Sequence, residues 1–537
     1  MRTFGFSASD LVELVLALVF VTLAWRRVEL YGRQLAEKAA WCMLLLTLLP
    51  VALRLALLPQ YPIPSPNVSD DFSYLLSADT LRHFRLANPT HPLYQFFETY
   101  FVVQQPAYAS IFPLGQGLVL ALGWTIFGHP WAGVALSIGA LCALCYWMLR
   151  AWTTPGWALV GGLLAVIEFG PLSQWMNSYW GGACTACAGC LVFGALPRLR
   201  VEGRARDAAL LGLGVGLGWL CRPYESIFLV LSALLFLLPV WRSMARPALW
   251  AAAIVVPAVA LSLAQNRAVT GNWTTLPYQL SQYQYGVPTS FTFQRLPTPH
   301  RALTREQQLD YEQQSQVHEM AGGYWQRWAS RIRFYRFFFL APLYLAIPVF
   351  LLRLRELRFA WVLLTILLFS LGTNFYPYFY THYIAALTCL FVLIGIAGLE
   401  RISAWSPLAA RVLLFLCAAH FLFWYGLHAS RDPNLDAALT PFETWDAINH
   451  GDPQGRIAIR RQLEAAPGRQ LVFVRYGPQH QFQEWVHNAA DIDGARIVWA
   501  RDLGPEENQK LLRYYPNRAA WLLLPDARPP LLRAYPR

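Results

Sequence analysis

Apolar windows of roughly 16 to 20 residues recur along the first 430 positions, and a segment of that length is what about 30 Å of hydrocarbon requires at 1.5 Å per residue. About twelve such segments are recognisable: 11–25, 39–58, 131–149, 155–170, 182–197, 207–221, 226–240, 248–264, 336–352, 359–375, 384–399 and 412–427. In lipid every backbone polar group must be satisfied within the segment, so a chain of this kind folds as a bundle of helices. Composition agrees, with 56% hydrophobic and 14% charged residues, where soluble domains carry about 25% charged residues.

Arginine and lysine collect in alternate loops. Arg26, Arg27, Arg33 and Lys38 share one, Arg198, Arg200, Arg204 and Arg206 another, and Arg242, Arg246, Arg353, Arg355, Arg358, Arg401 and Arg411 fall in later ones. The positive-inside rule makes these loops cytoplasmic. The intervening segments 59–130, 171–181, 222–225, 265–335, 376–383 and everything after 428 then face outward. No cleavable signal peptide is expected, because neither a basic leader nor a small-residue cleavage site surrounds the first apolar stretch. All nine cysteines lie within or at the ends of apolar segments, so no disulfide framework is indicated. Most of the net charge of +12 is spread over cytoplasmic loops without an aromatic-basic binding surface, which topology and anionic lipid headgroups explain better than nucleic acid, and no nucleic-acid partner is expected.

The expected fold is therefore an all-α polytopic membrane domain, residues 1–428, with long outward loops at 59–130 and 265–335. A small extracytoplasmic α/β domain follows at 429–537. In it, 469–475, 495–500 and 520–524 read as buried strands and 505–513 as a helix between them, a strand–helix–strand order that suggests a parallel sheet. No glycine-rich nucleotide fingerprint follows any of these strands.

The chemistry is concentrated on the outward side. Asp70 and Asp71 follow directly on the second apolar helix, in a loop that also holds His83, His91, Glu98 and Tyr108. As a bland alternative, Asp70 caps a helix beginning near Phe72 and Asp71 favours its positive end. As chemistry, an aspartate beside a membrane cavity can take a proton from a hydroxyl. Arg222, in Arg222-Pro-Tyr-Glu225, can hold a phosphate through paired hydrogen bonds or simply pair with Glu225. Asn177 and Tyr179, in the segment ending at Gly181-Gly182, can bond sugar hydroxyls or phosphate oxygens. The run Tyr376–Tyr383 suits an interfacial aromatic belt, but a belt needs no imidazole, which singles out His382. Glu168, ionisable near the outer end of a span, is a further candidate. The cysteines at 184, 187 and 190 sit among small residues and read as helix packing rather than a metal site.

These strings resemble one family. Asp70-Asp71-Phe-Ser-Tyr74, with the helix and extended loop that follow, is similar to the Asp-acid-x-x-Tyr element in the first long outward loop of the GT-C class of integral-membrane glycosyltransferases, the class of protein O-mannosyltransferases and lipid A aminoarabinose transferases. Phe97–Ser110, Ser178-Tyr-Trp-Gly-Gly182, Arg222-Pro-Tyr-Glu225, Asn266–Asn272, His382-Tyr383 and Ala489-Ala-Asp-Ile-Asp493 resemble a functionally undefined bacterial branch of that class. Two departures stand out: two apolar helices precede the acidic loop where the class usually has one, and no basic residue stands near Ile111-Phe112.

The resemblance implies a multi-pass protein of the bacterial inner membrane. Its donor would be a sugar on a polyprenyl phosphate, and its acceptor a hydroxyl on a glycan, lipid or protein. Asp70 and Asp71 would be catalytic, Arg222, Arg267, His382 and Tyr383 would hold the donor phosphate, and Tyr74, His91, Glu98, Tyr108, Asn177, Tyr179 and Glu225 would meet sugar or acceptor. No cofactor is expected, since two carboxylates without further ligands suit a divalent metal poorly. The competing reading is a lipid or solute transporter without glycosyl transfer. It predicts charges near mid-helix, whereas these stand near outer ends.

Overall fold

The computed structural model describes residues 15–16, 18–20, 22–23, 25–66, 68–430, 455–478, 480 and 484–536. The first expected span, 11–25, therefore lies mostly outside the described residues. Helices α1 (Trp25–Ala36), α2 (Ala39–Ala56), α3 (Ser69–Arg82), α4 (Leu114–Phe127), α5 (Trp131–Leu149), α6 (Pro155–Phe169), α7 (Ala183–Glu202), α8 (Ala205–Cys221), α9 (Pro223–Leu237) and α10 (Ala245–Thr270) form the first part. They are followed by α11 (Pro277–Tyr285), α12 (Arg305–Glu319), α13 (Tyr324–Ser330), α14 (Ala346–Leu351), α15 (Leu357–Thr373), α16 (Thr388–Trp405) and α17 (Pro407–Ala429).

Among the described residues seven helical stretches are long and apolar enough to cross a membrane, and α4, α6 and α15 are shorter apolar helices. The chain is thus a mostly helical, multi-pass membrane protein. Several expected spans differ: 155–170 and 359–375 correspond to the shorter helices α6 and α15, 207–221 corresponds to α8, which is in neither group, and 336–352 is not a straight helix, because Tyr324–Phe338 and Ala341–Leu351 meet at 119°. Pro342 and Pro348 lie in this stretch, and proline removes the N–H that a continuous ladder needs.

Hydropathy alone does not distinguish central from peripheral spans, but packing does. The stretch Thr381–Trp405, ending in α16, is 94% buried within the protein, whereas α10 is only 11% buried and presents its length outward. Small residues bring the central helices together. A Cβ added at Gly189 of α7 would lie 1.8 Å from the carbonyl oxygen of Ala386, so this contact requires glycine. Cys187 Sγ donates to the Ser137 carbonyl at 3.5 Å and Cys184 Sγ lies 3.3 Å from Cys221 Sγ, so both belong to helix packing.

Within the segment 59–130, β1 (Val102–Val103) and β2 (Ala109–Ser110) form a two-stranded antiparallel ribbon. After residue 455 come α18 (Arg456–Ala465), β3 (Arg469–Val474), β4 (Ile497–Arg501), α19 (Pro505–Tyr514), β5 (Arg518–Leu524) and β6 (Leu531–Ala534). The sheet order is β4-β3-β5-β6, parallel except for the antiparallel edge β6. The three expected strands and the helix are present, while α18 and β6 were not anticipated. Leu471, Phe473, Val498 and Leu522 of this sheet share one apolar cluster with Leu76, Phe96, Phe97 and Tyr108 of the first outward loop, so the sheet rests directly on the segment that carries the acidic pair.

Candidate active site

Helix α3 begins at Ser69, three residues earlier than the sequence suggests, which places both acids in its first turn. Their roles separate at once. Asp71, 2% exposed, accepts from Val68 N through Oδ2 (3.4 Å) and from Tyr179 N through Oδ1 (2.8 Å). It is Asp71, not Asp70, that caps the helix, and it ties α3 to the loop after α6. A carboxylate at a helix N-terminus is favoured by the backbone dipole. Successive helical residues point about 100° apart, so Asp70 faces elsewhere and is half-buried.

The groups around Asp70 come from separate elements. Tyr74, one turn further along α3 and on the same face, is stacked on Phe112 at 4.5 Å. Arg222 stands at the break between α8 and α9, where its φ of −146° and Pro223 at the start of α9 end one helix and begin the next. Its guanidinium lies 4.8 Å from the centre of the Tyr383 ring and 3.8 Å from Glu225 Oε1. The Arg222–Glu225 pair of the bland reading is therefore present, but beyond hydrogen-bond length. Glu225 is 3% exposed and its Oε1 has no hydrogen-bond partner among the described residues. Tyr376 packs on Tyr383 at 4.8 Å, and His382 is buried between Trp180 (5.1 Å) and Tyr380 (5.7 Å, nearly coplanar).

Arg222 lies within electrostatic reach of Asp70, Tyr74, Tyr278, Tyr376 and Tyr383. Burial is the main cause that pushes the Asp70 carboxyl up to about 7, with the neighbouring Asp71 charge next. Arg222 opposes the rise, and Asp310 of α12 adds the weakest upward push. Burial likewise raises the phenols of Tyr74, Tyr278 and Tyr376, which keeps them protonated hydrogen-bond donors. Asp310 is itself pushed up to about 7 by burial, partly offset by Gln314, whose Nε2 donates to both its oxygens at 3.0 Å.

The arrangement joins a half-buried carboxyl poised to exchange a proton near neutrality, one guanidinium and a wall of phenols. That set can remove a proton from a hydroxyl at one end and stabilise an anion at the other. Both Asp71 oxygens already accept backbone N–H groups, and among the described residues no group of three or more His, Cys, Asp or Glu side chains is placed to hold a metal.

Several expected members are elsewhere. Arg267 is exposed at the end of α10, where it donates to the Gly271 carbonyl of its own turn, so it stands outside the Asp70 group. Asn177 is spent on the fold: its Oδ1 accepts from Arg54 Nε (2.8 Å) and its Nδ2 donates to the Pro171 and Ser173 carbonyls. The Tyr179 hydroxyl donates to the Pro64 carbonyl at 2.8 Å, and this residue serves the site through its backbone N–H on Asp71. His91, Glu98 and Tyr108 lie under the C-terminal sheet. His91 Nε2 is 3.3 Å from Asp493, Glu98 is 3.6 Å from Arg301, and the Tyr108 hydroxyl donates to the Asn488 carbonyl at 3.0 Å. Burial lowers the His91 pKa, partly offset by Asp493.

Tyr278 and Asp310 belong to the neighbourhood in addition to the expected residues. Tyr278 carries no local sequence signal. Asp310 does, since an aspartate four residues before a glutamine on a helix forms an i,i+4 hydrogen-bonded pair.

No protein-family model and no curated protein matches the chain. Among solved structures it is similar to ArnT from Cupriavidus metallidurans in the apo state, with a TM-score of 0.49 and 11% identity over 89% of this chain and 92% of that one. It is also similar to the Archaeoglobus fulgidus oligosaccharyltransferase in complex with Zn and sulfate (TM-score 0.48, 12% identity, 90% of this chain and 67% of that one). A third likeness is to archaeal AglB from the same organism with an inhibitory peptide and a dolichol-phosphate (TM-score 0.47, 11% identity, 90% and 69%).

Proposed function

We propose that the chain transfers a sugar, with inversion, from a polyprenyl-phosphate-linked donor to a hydroxyl acceptor at the outer face of the bacterial inner membrane. The observation that carries this is a carboxyl raised to about 7, Asp70, within electrostatic reach of Arg222, whose guanidinium lies against the Tyr383 ring. Asp70 takes the proton of the acceptor hydroxyl. The acceptor oxygen bonds to the anomeric carbon, and the bond from that carbon to the phosphate oxygen breaks with its electron pair on the departing polyprenyl phosphate. Arg222 and the protonated phenols of Tyr376 and Tyr383 meet that charge, and His382, held by Trp180 and Tyr380, borders it.

A general base works best with a pKa near the working pH, and Asp70 meets that condition. Asp71 acts through position, fixing the first turn of α3. A lipid-linked donor needs no nucleotide fold, and its chain can enter from the bilayer. The outward assignment follows from the arginine-rich loops on the opposite side. No metal takes part in this reading.

The test is release of polyprenyl phosphate from polyprenyl-phosphate sugars by the purified full chain, with Asp70→Asn compared against the parent and donor binding measured separately. Turnover lost in an Asp70→Asn protein that still binds donor supports the assignment. Turnover equal to the parent's refutes it.

A further inference from the structure

Arg501 ends β4 and is 4% exposed. Removing a guanidinium from water is costly unless it is paired, and a strand end has no need of a charge. Here one side chain reaches three separate stretches of chain. Nε donates to the Glu98 carbonyl in the first outward loop at 2.7 Å, Nη1 pairs with the Glu306 carboxylate in the first turn of α12, and Nη2 faces Glu484 Oε2 at 3.6 Å.

Each contact leads back to the candidate site. Glu306 is one turn before Asp310 on the same face of α12, and Gln314, another turn on, grips the Asp310 carboxylate and accepts from Thr289 N at 2.8 Å. On the other side, the segment after Glu484 lies along α3. His487 stacks on Phe72 at 4.0 Å, and Ala490 N donates to Asp79 Oδ2 at 2.7 Å. Arg501 thus links α12 to segments that pack along the helix bearing Asp70, beside two further ties of α12: the Tyr100 hydroxyl donates to the Glu306 carbonyl at 2.5 Å and Arg305 to the Pro478 carbonyl at 2.7 Å.

We propose that Arg501 is a positioning residue: it fixes α12 against the first loop and the C-terminal sheet, and so sets how Asp310 approaches Asp70. This rests on the transfer reading for its effect on rate but not for its effect on structure. A misplacement of about 1 Å in a site can reduce rate roughly 100-fold. Arg501 touches no reacting group, so its loss acts on turnover rather than on donor binding at Arg222.

The experiment uses the full chain in detergent with Arg501→Gln, Arg501→Lys and the isosteric Glu306→Gln. Hydrogen exchange is followed across 305–319 and 69–82, and kcat and KM are measured for polyprenyl-phosphate sugars. The expected result is exchange across 305–319 accelerated roughly tenfold or more in Arg501→Gln and Glu306→Gln, kcat lowered by a similar factor with donor KM nearly unchanged, and partial recovery in Arg501→Lys. Should Arg501→Gln not fold, Glu306→Gln carries the decision. Exchange that quickens only around 98–100 and 484–490, or kcat equal to the parent's in Glu306→Gln, overturns the proposal. If the parent releases no polyprenyl phosphate the transfer reading fails, while the exchange pattern still decides what Arg501 does.

Discussion

Replacing Asp70 by asparagine separates chemistry from stability. In the folded chain burial and Asp71 raise the Asp70 carboxyl from 3.8 to about 7 despite the opposing pull of Arg222. In the unfolded chain it titrates near 4. Between these values the folded state holds a proton that the unfolded state has lost, so stability falls as pH rises through this window and the loss is complete above about 7. The difference corresponds to about 4 kcal/mol as a ceiling, and to about 2 kcal/mol once solvent access to a half-buried group is allowed for. Asparagine keeps the shape and removes the charge.

Asp70→Asn is therefore expected to unfold at a higher temperature than the parent at pH 8 and at the same temperature at pH 4, followed for the full chain in detergent. The same protein loses about 100- to 10,000-fold in turnover, the range of a missing general base. In the parent, turnover rises with pH through about 7 as the carboxylate forms. A variant less stable than the parent at pH 8 would refute the argument that Asp70 is held ionised at a cost. Parent turnover that does not change between pH 5 and 9 would refute its role as base.

Asp71→Asn makes the opposite trade: with a carboxylate that accepts two backbone N–H groups weakened, stability drops by about 1–3 kcal/mol, read as a lower unfolding temperature, and turnover falls less than in Asp70→Asn. Arg222→Lys keeps the charge but loses the planar fork, and is expected to weaken binding of polyprenyl phosphate by roughly tenfold or more, measured by displacement of a fluorescent analogue. Gly182→Ala combines a φ of +134° with a Cβ 2.2 Å from the Trp175 ring, so a loss of about 3 kcal/mol or more is expected, visible as a lower unfolding temperature. Turnover measured in EDTA should equal that in magnesium; a tenfold difference would require ligands beyond those around Asp70.

Much of the architecture was readable because membrane spanning imposes length and apolarity together. Helices α2, α5, α6 and α9 begin or end within a few residues of the expected bounds. The bend at 336–352 falls directly before Pro342, which a hydropathy window does not register. Asp70, Arg222, His382 and Tyr383 were readable as site candidates because polar residues at the outer ends of apolar helices have little else to do. His91, Glu98, Tyr108 and Asn177 share that signature, yet their polar atoms meet protein partners. Sequence cannot distinguish a side chain facing a pocket from one facing a sheet that arrives 400 residues later. Asp310 carries a helical signal in its spacing from Gln314, but its proximity to Asp70 exists only once α12 is docked.

Two adjacent acids at a helix start are usually interchangeable in sequence arguments, and here the helix makes them unlike. Because the first turn directs neighbouring side chains about 100° apart, only one of the pair can reach the N–H groups of Val68 and Tyr179, and Asp71 does so. Its fixed negative charge then acts on Asp70, which has turned toward Arg222 and the tyrosines, and raises its pKa further. The capping residue thus supplies part of the tuning of the residue beside it, so that one turn of helix both anchors the loop and prepares a base. Exchanging the two roles would require the 171–182 loop to approach from the Arg222 side, where Tyr383 and Glu225 already stand.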